Sequence, residues 1–155
     1  MTTRTDHAEI SMLVDRFFKA LDNRELTADR WRGPFMDDVR METPLGTSQG
    51  ADAVRATEEA LERYERTQHI AGGVLVDADA DAGAVGASVS WNALMTHVHR
   101  AATLQERGGD ADPLFAAGGR FEAVVRRTAD GWRFSRIVVR PIWTKGRPPV
   151  GVDVQ

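Results

Sequence analysis

The sequence predicts an α+β domain in which three N-terminal helices pack against a curved antiparallel sheet and enclose one pocket. Two observations carry this expectation. The apolar period is that of a helix up to Arg66 and that of a strand from Gln68 onward, so helices come first and strands follow. Within the strand half, Gly72-Gly73, Gly108-Gly109 and Ala129-Asp130-Gly131 punctuate the chain as the turns and bends of a meander do.

The first helix rests on Ile10, Leu13, Val14, Phe17, Phe18 and Leu21, which recur at helical spacing as one apolar stripe. Asp6 with Glu9 reads as its capping box, and Asp22-Asn23 as its end, because Asn tolerates the left-handed conformation. Thr27 to Met36 predicts a second, shorter helix broken at Gly33-Pro34. Val39 to Glu42 predicts a short strand, and Pro44 to Gly50 a loop. Ala51 to Arg66 predicts the third helix, with Val54, Leu61 and Tyr64 on its apolar side.

Gln68 to Val76 predicts the first long strand, with a bulge or sharp bend at Gly72-Gly73. Asp77 to Gly83 reads as an acidic turn. From Ala84 to His99 the chain alternates, with Val85, Ala87, Val89, Trp91, Ala93 and Met95 on one face. Arg100 to Pro113 is polar and reads as a loop near the pocket. Ala117 to Arg127 and Trp132 to Trp143 predict a hairpin, and the Pro- and Gly-rich tail from Lys145 predicts a loose end. The 155 residues make a single domain with its core at about residues 7–146.

Composition bounds the function. At 42% hydrophobic and 28% charged, the chain is neither disordered nor fibrous. No apolar run approaches the ~20 residues that span a bilayer, and the N-terminus lacks an apolar signal core, so a cytoplasmic protein is expected, with no membrane partner. The absence of cysteine excludes disulfides, thiolate zinc sites and cysteine nucleophiles. Lys+Arg is 20 and Asp+Glu 23, a net charge of −3, which argues against a nucleic-acid partner. Dinucleotide, phosphate-loop, serine-hydrolase and zinc-protease motifs are lacking, so those chemistries have no sequence support. Asp77-x-Asp79-x-Asp81 begins like a calcium loop, but Ala82 and Ser88 stand where Gly and Glu are required.

Three places hold residues suited to proton chemistry. Asp22 lies one turn beyond Phe18 and two beyond Val14, at the edge of the apolar stripe. It is either a solvated helix end or a carboxylate facing the core, and in the core it needs a partner to stay ionised. His69 opens the first long strand, as a structural histidine or as a general base. His97 and His99 continue the buried face of the alternating strand after Met95, where oily residues give way to imidazoles. They are a pocket pair or simply the exposed strand end. Two histidines on one face also suit a metal, but no spacing supplies further ligands, so no metal and no cofactor are expected. Of the arginines on the last two strands, Arg120 is the one that would reach into the pocket, toward an anionic or carbonyl group.

Leu21-Asp22, Thr67-Gln68-His69-Ile70-Ala71-Gly72-Gly73 and Asp130-Gly131-Trp132-Arg133-Phe134 carry a resemblance. The chain resembles the SnoaL-like branch of the nuclear transport factor 2-like superfamily, and within it scytalone dehydratase and related small dehydratases. The Thr-Gln-His-x-x-Gly-Gly stretch is its most specific part, whereas the Asp-Gly-Trp hairpin marks fold only. The resemblance implies a cone-shaped sheet closed by three helices, with the pocket inside. It implies that Asp22 orients His69 and that His97 is the second functional histidine. An ionised Asp22 would fix the tautomer of His69, whose other nitrogen would remove a proton beside a carbonyl. His97 would protonate a departing hydroxyl or hold the enolate oxygen.

The tyrosines that dehydratases of this kind use are replaced by Leu21 and Thr43, and the single tyrosine is Tyr64. Phe18, Trp31, Trp91, Met95 and Phe121, with His99 and Arg120, would bind the substrate. The implied activity is a cofactor-independent lyase or isomerase, of dehydratase or polyketide-cyclase type, acting on a polycyclic or aromatic polyketide- or steroid-like compound in secondary metabolism. Two other roles are open: a non-catalytic binding or assembly module, or the small subunit of a ring-hydroxylating dioxygenase. A homodimer is expected from the same resemblance.

Overall fold

A computed structural model describes residues 2–26, 32–77 and 85–149. In chain order the elements are α1 (Arg4–Asp22), β1 (Phe35–Thr43), β2 (Gly46–Gln49), α2 (Ala51–Glu62), β3 (Tyr64–Asp77), β4 (Gly86–His99), α3 (Ala101–Arg107), β5 (Leu114–Thr128) and β6 (Gly131–Lys145). The class is the expected α+β. Six strands form one sheet in the order β2-β1-β6-β5-β4-β3.

From β3 to β6 the chain is an antiparallel meander. β1 joins β6 in parallel, so the sheet is mixed rather than wholly antiparallel. The sheet curves without closing. Register shifts insert the extra residues that bend strands, one in β3 between Gly72 and Leu75, and two in β6, at Ser135 and Ile142, opposite Val124/Val125 and Gly118/Gly119 of β5. Gly73 takes φ 63° at the first of these, a conformation open to glycine at little cost.

Several boundaries differ from the sequence reading. The capping box of α1 is Thr3 with Asp6, not Asp6 with Glu9, and the helix begins three residues sooner. At its other end Asn23 stays right-handed, and Arg24 takes the left-handed conformation at φ 55°. Residues 27–31 of the expected second helix, Trp31 among them, lie outside the described residues, and Phe35 and Met36 begin β1. The same holds for most of the acidic turn, residues 78–83, and for residue 84, the expected start of the alternating strand. Part of the expected loop at Pro44 to Gly50 is strand β2, and part of that at Arg100 to Pro113 is α3. Tyr64 belongs to β3, because the chain leaves α2 at Glu62 and turns at Arg63.

The stripe of α1 lies in the hollow of the sheet. Ile10, Val14, Phe17 and Phe18 are each at most 3% exposed. Phe17 meets Phe35 edge to face and packs on Phe134, while Phe18 meets Phe121 and Trp91. Trp91 and Phe121 stack at 5.1 Å. These aromatic contacts fill the hollow around the middle of α1. The hollow toward the C-terminal end of α1 is not filled, and Asp22 is at that end.

Candidate active site

Asp22 ends α1 one turn beyond Phe18, beside the start of β3. Thr67 and His69 are two apart on that strand, so both side chains stand on its inner face, toward Asp22. The Thr67 hydroxyl donates to Asp22 Oδ1 at 3.0 Å. The His69 backbone N–H donates to Oδ2 at 2.8 Å, and the imidazole Nδ1 lies 2.6 Å from Oδ1. Burial works against the charged carboxylate, but the hydrogen bonds from the His69 ring and backbone outweigh it and hold the Asp22 pKa below its ordinary value. An ionised Asp22 can only accept, so His69 carries a proton on Nδ1, and in the neutral ring the lone pair is the one on Nε2. The His69 side chain is 5% exposed and has the ring of Phe18 packed against it at 5.3 Å.

His69 borders a cavity of about 370 Å³ between the sheet, α2 and the β1–β2 turn. The walls are mainly apolar: Met41, Leu61, Met95, Phe121, Ile137 and Val139. Leu45 of the β1–β2 turn and Gly46, Thr47 and Ser48 of β2 line another side. His97 and Tyr64 stand beside His69. The His69 and His97 rings meet edge to face at 5.7 Å, and the Tyr64 ring lies 4.5 Å from that of His97.

His97 Nδ1 is 3.1 Å from the Phe115 carbonyl, which can only accept, so that nitrogen bears the proton. Burial pushes the His97 pKa down to about 4, with the nearby His69 adding to the shift. His97 is therefore neutral at pH 7, and its Nε2 carries a lone pair. Burial pushes the Tyr64 phenol up to about 12, so it stays a neutral O–H group. The site thus combines two imidazole lone pairs and one phenol in an apolar cavity.

The residues expected to form the site separate into three groups. Asp22, His69 and His97 come together, and Met95 and Phe121 line the cavity with them. Phe18 and Trp91 do not line it. Both are buried in the core, because their aromatic partners cover them. His99 is 3% exposed and stands apart from the cavity, where Tyr64 packs on it and Arg107 donates to its Nε2 at 3.2 Å. Arg120 is a correction of the opposite kind. It is exposed on the outer face, in register between Asn92 and Arg140, because strand alternation turns it away when Phe121 faces in. Trp31 lies outside the described residues.

Thr67 and Tyr64 are site residues that the sequence reading passed over. Thr67 was legible as part of the Thr-Gln-His stretch, and two-residue spacing from His69 is the signal that places it on the same face. Among the described residues no three His, Asp or Glu side chains gather as metal ligands. Among them, too, no helix is long and apolar enough to cross a membrane.

Solved structures with this fold include a protein from Kribbella flavida, Kfla4162, at 24% identity and TM-score 0.78, the match covering 91% of this chain and 93% of that one. A candidate scytalone dehydratase from Novosphingobium aromaticivorans aligns at 18% identity and TM-score 0.69, over 94% and 93% of the two chains. The hexachlorocyclohexane dehydrochlorinase LinA-type3 from Novosphingobium barchaimii aligns at 16% identity and TM-score 0.69, over 94% and 90%. At such identities the likeness is one of fold. A search among curated proteins found no match. The SnoaL-like domain family model matches residues 2–138, and the chain belongs to that family.

Proposed function

We propose that the protein is a lyase or isomerase, working without a cofactor, that removes a proton from carbon beside a carbonyl of an apolar, polycyclic or aromatic substrate. The observation that carries this reading is the Asp22–His69 pair, with the imidazole bordering an apolar cavity. Asp22 holds Nδ1–H, so Nε2 takes the substrate proton and His69 becomes an imidazolium beside a carboxylate. A positioned base of this kind typically contributes about 10²–10⁴-fold in rate. The negative charge moves onto the carbonyl oxygen, where the Tyr64 phenol is the candidate donor. Thr43, where the resemblance to small dehydratases implies a tyrosine, has its hydroxyl taken up by the β1–β2 turn, where it accepts from the Leu45 N–H.

The neutral state of His97 refines its role. With Nδ1–H on Phe115, Nε2 accepts a hydrogen bond and has no proton to give. His97 is therefore the group that orients a substrate hydroxyl, and the newly formed His69 imidazolium is the acid that protonates a leaving hydroxyl or returns the proton to another carbon. Dehydration, double-bond shift and cyclisation all share the first step.

The test is to incubate the protein in deuterated water with a panel of apolar ketones and aromatic polyketide-like compounds, following exchange at the carbon beside the carbonyl by mass spectrometry. Exchange that disappears in His69→Ala supports the reading. Tight binding without exchange in any compound overturns it in favour of a binding module, and co-purification with a larger oxygenase chain overturns it in favour of a subunit role.

For the homodimer implied by the resemblance, we propose the outer sheet face. Ile70, Leu94, Gly118 and Trp143 stand in register across β3, β4, β5 and β6, and Ile70, Leu94 and Trp143 are about half exposed. Light scattering of Trp143→Glu against the wild type tests it: a dimer that becomes monomeric agrees, and a wild-type monomer contradicts it.

A further inference from the structure

Arg24 is the non-glycine residue with positive φ among those described, at 55°. Left-handed backbone is uncommon for a residue with a long side chain, and it persists where surrounding contacts over-determine it. Those contacts are specific. Nη1 of Arg24 donates to the Leu21 carbonyl at 2.9 Å and to the Thr67 hydroxyl at 2.9 Å, and Nη2 donates to the Leu61 carbonyl at 3.1 Å. One guanidinium thereby joins the C-terminal ends of α1 and α2 to the start of β3. The left-handed turn aims it there.

The bond to Thr67 has a direction. A guanidinium only donates, so the Thr67 oxygen accepts from Arg24, and its single O–H is left for Asp22 Oδ1. Asp22 then accepts from Thr67, from the His69 backbone and from His69 Nδ1, and each donor strengthens the case for an ionised carboxylate and an Nδ1–H imidazole. Asp22 also sits at a helix C-terminus, where the helix dipole disfavours negative charge and a cation is the favourable neighbour. The half-buried Arg24 supplies that cation.

We propose that Arg24 is a positioning residue for the dyad. Through the Thr67 hydroxyl it fixes the proton direction of the chain Arg24–Thr67–Asp22–His69, so that His69 presents an unprotonated Nε2 to the cavity. The proposal rests on the reading of Asp22 and His69 as the base, but its test needs no substrate.

The test is the downfield proton resonance of His69 Nδ1–H, read by NMR in the ligand-free protein. Arg24→Gly is the decisive variant, because glycine accepts φ 55° without strain and the fold is expected to persist. Its His69 Nδ1–H resonance is expected to move upfield and broaden through solvent exchange. Non-denaturing guanidinium ion should restore it, Arg24→Lys should restore it in part, and Thr67→Val should reproduce the loss that Thr67→Ser avoids. An Arg24→Gly protein with an unchanged His69 resonance, whatever its melting temperature, overturns the proposal and reduces Arg24 to a helix cap. A wild-type protein with no His69 Nδ1–H resonance overturns the dyad as well, so the two failures are distinguishable.

Discussion

Helix α1 carries a carboxylate at each end, and the two make opposite use of similar bonds. Asp6, in the first turn, accepts from the Thr3 backbone N–H at 2.7 Å and the Thr3 hydroxyl at 2.9 Å, and pairs with Arg127. Hydrogen bonding from the Thr3 backbone is the main reason its pKa falls to about 2. Asp22, at the last turn, also accepts three hydrogen bonds, and its pKa is also lowered. The helix dipole favours a negative charge at the first position and opposes it at the second.

The partners differ in kind. Every donor to Asp6 (a backbone amide, a hydroxyl and a guanidinium) keeps its proton at any pH near neutrality, so nothing there can shuttle one. Asp22 has an imidazole among its donors, and the other side of that ring borders a cavity. A buried carboxylate thus marks chemistry when its partner can itself change protonation and reach a ligand. Otherwise it marks a cap.

The largest effect should separate the two ends outright. Asp22→Asn is expected to lower proton-exchange activity by about 100-fold or more while ligand affinity changes little, measured by exchange rate and by calorimetry on one ligand. Asp6→Asn should leave that activity intact in the folded protein and lower the melting temperature instead. Equal activity losses in both would erase the contrast.

Acid should act on the ends and on His97 in ways that can be told apart. Asp6 has a folded pKa of about 2 against an ordinary 3.8, so its stabilisation is present above the ordinary value and is lost as pH falls through the folded one. His97 has a folded pKa of about 4 against an ordinary 6.5. Between those two values the unfolded chain binds the extra proton, so stability declines as pH drops from about 6.5 to 4. Melting temperatures from pH 7 to 2.5 should show this upper decline vanish in a folded His97→Phe variant and the lower one shrink in Asp6→Asn. The reverse assignment would be a contradiction.

Smaller effects sharpen the boundary of the site. Thr3→Ala removes the hydroxyl of the cap and should cost about 1 kcal/mol, which lowers the melting temperature by roughly 2–4 °C for a chain of this size. Arg120→Ala, on the outer face, should change ligand affinity less than about twofold, since a surface charge screened by solvent contributes little at a distance. A tenfold loss there would place Arg120 in the site after all.

The two ends of α1 also show what a sequence makes legible. The stripe from Ile10 to Leu21 is local and periodic, so the helix and the edge position of Asp22 could be read directly. That Asp22 meets His69 spans 47 residues, and only the Thr-Gln-His stretch and its resemblance to known dehydratases brought them together.

The misreadings have local causes. Tyr64 continues the spacing of Val54 and Leu61, and the turn at Arg63 has neither Gly nor Pro to announce it. α3 has no buried residue, so its seven residues lack an apolar stripe. β2 is four residues held by pairing with β1, with no hydrophobic alternation of its own. Arg24 was invisible because its left-handed turn is stabilised by partners on three elements, where composition pointed to Asn23.

The most direct measurement is the long-range proton–nitrogen NMR spectrum of the four histidines at neutral pH, in wild type and Asp22→Asn. The expected wild-type result is a His69 ring with its proton on Nδ1 and a lone pair on Nε2, becoming a mixture of tautomers in the variant. A His69 ring protonated on Nε2, or one indifferent to the loss of the Asp22 charge, would contradict the dyad and with it the proposed proton abstraction.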